Sequence, residues 1–326
     1  MMVNFAVIGT NFVTDSFIDA GRQCDDFHVQ AVYSRTMERA REYADRYEIE
    51  DCYDSLDDLA KAENIDAVYV ASPNAFHAKQ SIQMMNAGKH VLCEKTIASN
   101  LKELKQMLEV AKENHVILLE AMRSAFDPGF QAIQDNLKKL GKIRRATFQY
   151  CQYSRRYDNY KNGIVENAFK PELSNGALMD IGVYCVHPLV KLFGMPKEIS
   201  AHCLKLDNGA EAAGTIVAMY EDMQAELMYA KITDAILPSQ IQGEEASMII
   251  EEIPDTKKIR IRYRDRHWEE IEISKKENNM YYEIKEFIRL IQEKGSAREH
   301  NQYSLWELEV MDEARKQMGI VFPADC

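Results

Sequence analysis

Near residue 180, three side chains that can hold or transfer a proton recur at helical spacing. Asp180, Tyr184 and His187 stand at i, i+4 and i+7 and so share one face of a helix. An apolar stripe of Leu178, Ile181, Cys185, Leu189 and Leu192 runs beside them. Such groups aimed at one spot suit acid–base chemistry. A polar helix face with one buried tyrosine satisfies the same pattern. Gly182 costs this helix roughly 1 kcal/mol against Ala, and its missing side chain would admit a cofactor or a second backbone. Two apolar runs end in further reactive types: Ala71-Ser72-Pro73-Asn74 with His77 following, and Cys93-Glu94-Lys95-Thr96. Each alone also fits a surface ion pair or a polar strand end. A third run passes into Gly9-Thr10-Asn11-Phe12-Val13-Thr14, the frame G-x-G-x-x-G with Asn and Thr at its second and third glycines. In that frame the first glycine makes a tight turn and the second lets backbone approach a pyrophosphate. Asn tolerates positive φ better than most residues, so Asn11 is expected to keep the turn. About 20 residues beyond Thr14 stand Ser34-Arg35-Thr36, with Arg39 one turn on. An acid there binds the ribose of NAD, whereas Arg accommodates the 2′-phosphate of NADP. Ser34, Arg35 and Arg39 therefore favour NADP, with NAD as the alternative. Solvated arginines at a helix start would look the same.

The elements that must position these residues are legible as periodicities. Val3–Gly9, Val29–Ser34, Ala67–Ala71, His90–Cys93 and Val116–Leu119 read as strands, several of them apolar on both faces. Helical stripes lie between them, including 37–47 and 101–111. Strand–helix alternation of this kind implies a doubly wound parallel sheet, a Rossmann α/β domain, over 1–122. The remainder, 123–326, reads as an α+β domain with a large, open, mainly antiparallel sheet. In it Ile259, Ile261 and Tyr263 alternate with arginines, and Ile271 and Ile273 with glutamates, a hairpin with cross-strand Arg–Glu pairs. A polar stretch, 154–175, is the expected seat of specificity. Two helices close the chain, and the last is expected to pack back on the first domain. The open sheet, with Ile216–Tyr220 and Leu227–Tyr229 apolar for an exposed face, predicts a homodimer or a higher homo-oligomer.

Composition bounds the partners. The 326 residues hold about two domains at roughly 150 each. The formal net charge of -12 and pI near 5.3 argue against nucleic acid and anionic membranes, which need a basic footprint. No apolar run reaches the ~18 residues of a membrane span. The opening MMVNFAVIG lacks a basic n-region and reads as a first strand, not a signal peptide. Seven cysteines without a C-x-x-C suit a reducing cytoplasm and offer no zinc site. A small molecule is the partner these features leave.

The runs VIGTNFVT, SRTMERAREYA, ASPNAFH, GKHVLCEKT and GALMDIGVYCVHPL together resemble the Gfo/Idh/MocA family of oxidoreductases over essentially the whole chain. DIGVYCV is most similar to its dihydrodiol-dehydrogenase-like branch. The resemblance implies an NAD(P)-dependent dehydrogenase or reductase acting on a small sugar, polyol or diol. It implies Lys95, Tyr184 and Asp180 as catalytic residues, with Tyr184 the proton donor, Lys95 stabilising its phenolate, and Asp180 orienting Lys95 or a substrate hydroxyl. Gly9, Thr10, Asn11, Phe12, Ser34, Arg35, Arg39, Ala71, Ser72, Pro73, Asn74, His77, Glu94 and Lys95 would hold the cofactor. Arg123 and His187 would line the substrate side. Asn11, Thr96 and His187 depart from the family pattern, standing where Gly, Pro and Asp are usual. A non-catalytic dinucleotide or sugar sensor is one alternative, and an NAD-dependent glycosidase of the same fold is another.

Overall fold

In a computed structural model describing residues 1–326, the chain separates into two compact units. The first comprises Met1–Met122 with Lys276–Gln302, the second Arg123–Lys275 with Tyr303–Cys326. In the first, β1 (Val3–Ile8), α1 (Phe12–Gly21), β2 (Phe27–Tyr33), α2 (Met37–Tyr47), β3 (Asp51–Tyr53), α3 (Leu56–Lys61), β4 (Ala67–Val70), α4 (His77–Asn86), β5 (His90–Glu94), α5 (Leu101–Glu113) and β6 (Leu118–Ala121) follow in turn. The six strands form one parallel sheet in the order β3-β2-β1-β4-β5-β6. The order reverses beside β1, and the β1/β4 boundary is the switch point at which such sheets bind ligands. The central strands are buried on both faces, as their unbroken apolar runs require. Phe17 stacks on Tyr69 at 3.7 Å between ring centroids, and Phe5 packs near Phe27.

The second unit contains α6 (Pro128–Asn136), β7 (Ile143–Cys151), α7 (Arg155–Lys161), a π turn over Leu178–Gly182 that runs into α8 (Val183–Phe193), and seven further strands. These are β8 (Glu198–Lys205), β9 (Glu211–Met219), β10 (Gln224–Ala230), β11 (Ser239–Gly243), β12 (Ala246–Ile250), β13 (Lys258–Tyr263) and β14 (Trp268–Glu272). They form one sheet with β7, ordered β14-β13-β12-β11-β7-β10-β9-β8. All neighbours are antiparallel except β7 and β10, which run parallel. Next come α9 (Met280–Gln292), which belongs to the first unit and packs there on α1, and α10 (Arg298–Met318), which passes from the first unit into the second at Tyr303.

Three local expectations need correction. Ile216, Leu227 and Tyr229 are buried on the helix side of the sheet, not displayed on its open side. Strand alternation turns Thr215, Val217, Glu226 and Met228 to the other face. In the β13–β14 hairpin the turn shifts the register: Arg260 faces Glu270, but Arg262 faces Trp268. The ion pair formed there is Lys258–Glu270 at 3.0 Å. Gly182 makes room for neither cofactor nor backbone, because a Cβ on it would lie 2.9 Å from the Tyr229 ring.

Candidate active site

The first unit gathers its candidate residues at the carboxyl ends of its strands. Gly9 follows β1 with φ +116°, a conformation L side chains rarely adopt, and a Cβ there would lie 2.6 Å from the Ala71 carbonyl oxygen beyond β4. Asn11 has extended backbone, φ -121°, so tolerance of positive φ is not its use. It caps α1 instead. Its Oδ1 accepts from the Val13 and Thr14 amides at 2.9 and 3.3 Å, and its Nδ2 donates to Ala71 O at 2.8 Å. One side chain thereby satisfies two of the helix's open N–H groups and ties the turn to the neighbouring strand. Thr14 is fully buried at the third position, as a small residue must be there, and Phe12 stands out into solvent.

Beside this turn lies an open cleft of about 670 Å³, lined by Thr10, Thr36, Glu38, Arg39, Glu42, Tyr43 and Arg46. Arg39 is held into it: Nε donates to the Thr10 hydroxyl at 2.8 Å and Nη2 to the Thr10 carbonyl at 3.3 Å. Arg46 lies over the Tyr43 ring at 4.8 Å and pairs with Asp15 at 3.6 Å. Arg35 is exposed and Ser34 buried, and neither lines the cleft. The second cation is therefore Arg46. The signal for it was in the sequence, since Arg39, Tyr43 and Arg46 stand at i, i+4 and i+7 of α2. Two guanidiniums and two threonine hydroxyls, next to a glycine turn at the switch point, fit the phosphates of a dinucleotide.

Past β4 and β5 the polar residues chiefly hold one another. His77 is buried, with Nε2 2.8 Å from Ser72 O and Nδ1 3.0 Å from Thr96 O. It clamps the two loops together, and burial pushes its imidazole below the usual range. Glu94 is buried and accepts from the Tyr69 hydroxyl, while the Ser72 hydroxyl donates to Gln80 at 2.6 Å. Pro73 is extended, and Asn74 behind it is buried. Lys95 leaves β5 at this edge, half-buried, and its peptide bond to Thr96 is cis.

In the second unit, Tyr184 and Asp180 come from the segment 178–193, which is buried almost all round. The wider π turn over Leu178–Gly182 interrupts the α-helical repeat between Asp180 and Tyr184. His187 is turned inward, with Nδ1 2.7 Å from Glu307 Oε2 and its ring edge-on to Tyr303. That joins α8 to α10, and His187 is buried there as a paired histidine. Tyr184 is also nearly buried, but its hydroxyl oxygen accepts from Arg123 Nε at 3.4 Å, and the Tyr150 ring meets it edge-on at 5.7 Å. Arg123, expected on the substrate side, is thus the cation at the phenol. Asp180 keeps 28% of its side chain exposed and accepts from Lys231 Nζ, a residue not singled out in the sequence. Lys231 hides as the polar end of an apolar strand, QAELMYAK.

Beneath this segment lies Glu211, which burial pushes up to about 7 while its Oε2 accepts from Leu178 N at 2.9 Å. It also was not singled out, standing as one acid in a strand of small apolar residues.

Comparison with known proteins fits both halves of this geometry. Residues 3–122 match the model described as the oxidoreductase family with an NAD-binding Rossmann fold, and 131–248 match the GFO/IDH/MocA C-terminal domain. The chain is 47% identical over 99% of its length, and 99% of the relative's, to scyllo-inositol 2-dehydrogenase (NADP(+)) IolU of Bacillus subtilis. It is 28% identical, over 100% of this chain and 99% of the other, to trans-1,2-dihydrobenzene-1,2-diol dehydrogenase of Danio rerio. Among solved structures it superposes with TM-score 0.89 and 20% identity on KijD10, a 3-ketoreductase from Actinomadura kijaniata in complex with NADP, over 99% of both chains, a likeness of fold. With family matches across both units and a relative 47% identical over 99% of its length, the chain belongs to the Gfo/Idh/MocA family and is an NAD(P)-dependent oxidoreductase.

Proposed function

We propose that the protein is an NADP-preferring dehydrogenase of a cyclic polyol, interconverting a ring secondary alcohol and its ketone. The observation that carries the substrate class is the full-length 47% identity to a scyllo-inositol 2-dehydrogenase. Gly9, Thr10, Asn11, Arg39 and Arg46 are the residues proposed to hold the dinucleotide, with Arg39 and Arg46 on the 2′-phosphate. The bound nicotinamide supplies hydride transfer. The chain supplies orientation and a proton.

Tyr184 is the proposed acid–base group. Arg123 Nε–H donates to its oxygen at 3.4 Å. In oxidation Tyr184 takes the alcohol proton, and in reduction it returns it to the nascent alkoxide. Arg123 is the cation beside the phenol. Lys95 is proposed as the second such cation during turnover, and Asp180 as acceptor for a substrate hydroxyl. The Lys95, Asp180 and Tyr184 set favours an enzyme over a sensor, since a sensor needs no proton donor. We further propose a homodimer through the face of the second unit's sheet opposite α8. Val217, Met228 and Ile249 supply apolar area there, beside a satisfied Arg145–Glu226 pair at 2.8 Å. The seven free thiols suit a reducing cytoplasm.

The test is initial-rate formation of NADPH or NADH with scyllo-inositol, myo-inositol, glucose and trans-cyclohexane-1,2-diol. Turnover of an inositol with NADP⁺ preferred is expected. Turnover of none with either cofactor, by a folded protein that binds NADPH, would turn the reading toward a sensor.

A further inference from the structure

Lys231 is the least exposed lysine ammonium tied to a candidate catalytic group. Its side chain is 4% exposed. Its backbone joins three parts of the second unit: N–H donates to Ala212 O at 2.8 Å, and its carbonyl accepts from Ser154 N at 2.9 Å, just where α7 begins. The side chain passes the Phe169 ring, with Nζ 5.6 Å from the centroid, and ends on Asp180 Oδ2. The carboxylate is the more open partner, at 28%.

Stability alone is a poor reason for this arrangement. Taking an ammonium out of water is costly, and well-packed apolar residues of similar volume commonly replace a buried ion pair without loss. The pair does two things an apolar residue cannot. It holds Asp180 in one orientation, four residues ahead of Tyr184, and it favours the ionised carboxylate, the only form that acts purely as an acceptor. The carboxylate and ammonium together carry no net charge, which suits a neutral hydroxyl better than an acidic substrate.

We propose that Lys231 is a positioning residue for the reaction, its buried ammonium fixing Asp180 as a permanently ionised acceptor for a second hydroxyl of a neutral polyhydroxylated substrate. This rests on the polyol reading above and names the group that makes it selective.

The experiment compares wild type, Lys231→Met and Lys231→Arg with scyllo-inositol and NADP⁺ across pH. Lys231→Met is expected to lower kcat/KM about 10-fold or more and to move the titration of the Asp180 carboxyl, read by ¹³C NMR, upward by roughly 1–3 pH units. NADPH affinity, read by fluorescence, is expected to hold within about two-fold, and Lys231→Arg to restore most of the rate and of the titration. A Lys231→Met enzyme whose Asp180 carboxyl titrates at the wild-type pH overturns the proposal, even if its rate falls. If Lys231→Met does not accumulate folded, Lys231→Gln carries the same test, because it keeps a donor and loses the charge. If wild type oxidises no polyol, the substrate reading fails by itself, and Lys231 is then judged by the carboxyl ¹³C NMR alone. The Asp180 resonance, identified by its loss in Asp180→Asn, should titrate at higher pH in the Lys231 variant. Titration at the same pH overturns the proposal.

Discussion

At the scale of single residues, the proposed preference for NADP rests on the arginines. Arg39 is aimed by two hydrogen bonds to Thr10, whereas Arg35, whose position at the end of β2 suggested the same role, is exposed outside the cleft. Arg39→Ala should therefore weaken NADP binding by about 1.5–3 kcal/mol, one charge-assisted contact, and hardly touch NAD. Arg35→Ala should change either by much less. Fluorescence titration of both variants with both cofactors checks this, and a larger loss for Arg35→Ala would reverse the assignment. Asn11 is the second instructive residue. As a cap with two accepted bonds and one donated, it makes Asn11→Ala cost about 1 kcal/mol, and Asn11→Gly only a few tenths. Thermal melts without cofactor would resolve the two. The frame G-x-G-x-x-G thus located the turn correctly but misread what Asn does in it. Spacing gives a position, while capping depends on which amides the helix leaves open.

At the scale of elements, the segment 178–193 carries the candidate chemistry, and Glu211 anchors its first turn. Burial raises this carboxyl from 4.5 to about 7. Its folded-state value lies above its unfolded one, so the unfolded chain releases its proton first as pH rises. Stability from this group is full below pH 4.5 and is lost as pH climbs through about 7, on the order of 3 kcal/mol in total. Glu211→Gln removes that titration. Relative to wild type, its melting midpoint should improve by a few degrees between pH 5 and pH 8. A difference independent of pH would show that the Glu211 carboxyl titrates alike in the folded and the unfolded chain. Much of this level was legible in advance. Two-sided apolar runs marked β1, β4 and β5, and the amphipathic pattern marked α2 at its observed limits, Met37–Tyr47. β3 was not, because three half-buried residues make no periodicity. The parallel pairing of β7 with β10 was not, because register between distant strands is fixed by tertiary packing. His187 was misplaced because a helical face says nothing of Glu307, 120 residues away, or of the π turn between Asp180 and Tyr184.

At the scale of the whole molecule, no helix is long and apolar enough to cross a membrane. The proposed homodimer should appear by light scattering at micromolar concentration as twice the 37.5 kDa of one chain. A single-chain mass would remove it. The segment 154–175 contributes Tyr157, Tyr160 and Phe169, whose rings lie about 6 Å apart at a small apolar cluster, so its polarity in the sequence conceals a local core. The central claim is that Tyr184 moves the proton for a polyol dehydrogenase. Its most direct test is kcat for NADP⁺-dependent oxidation of scyllo-inositol by wild type, Tyr184→Phe and His187→Ala, with NADPH affinity measured alongside. Tyr184→Phe keeps the ring and its packing and loses only the hydroxyl, so kcat should fall roughly 100-fold or more at nearly constant cofactor affinity. A Tyr184→Phe enzyme of near-full activity, with His187→Ala inactive but folded, would contradict the account and pass the proton to His187.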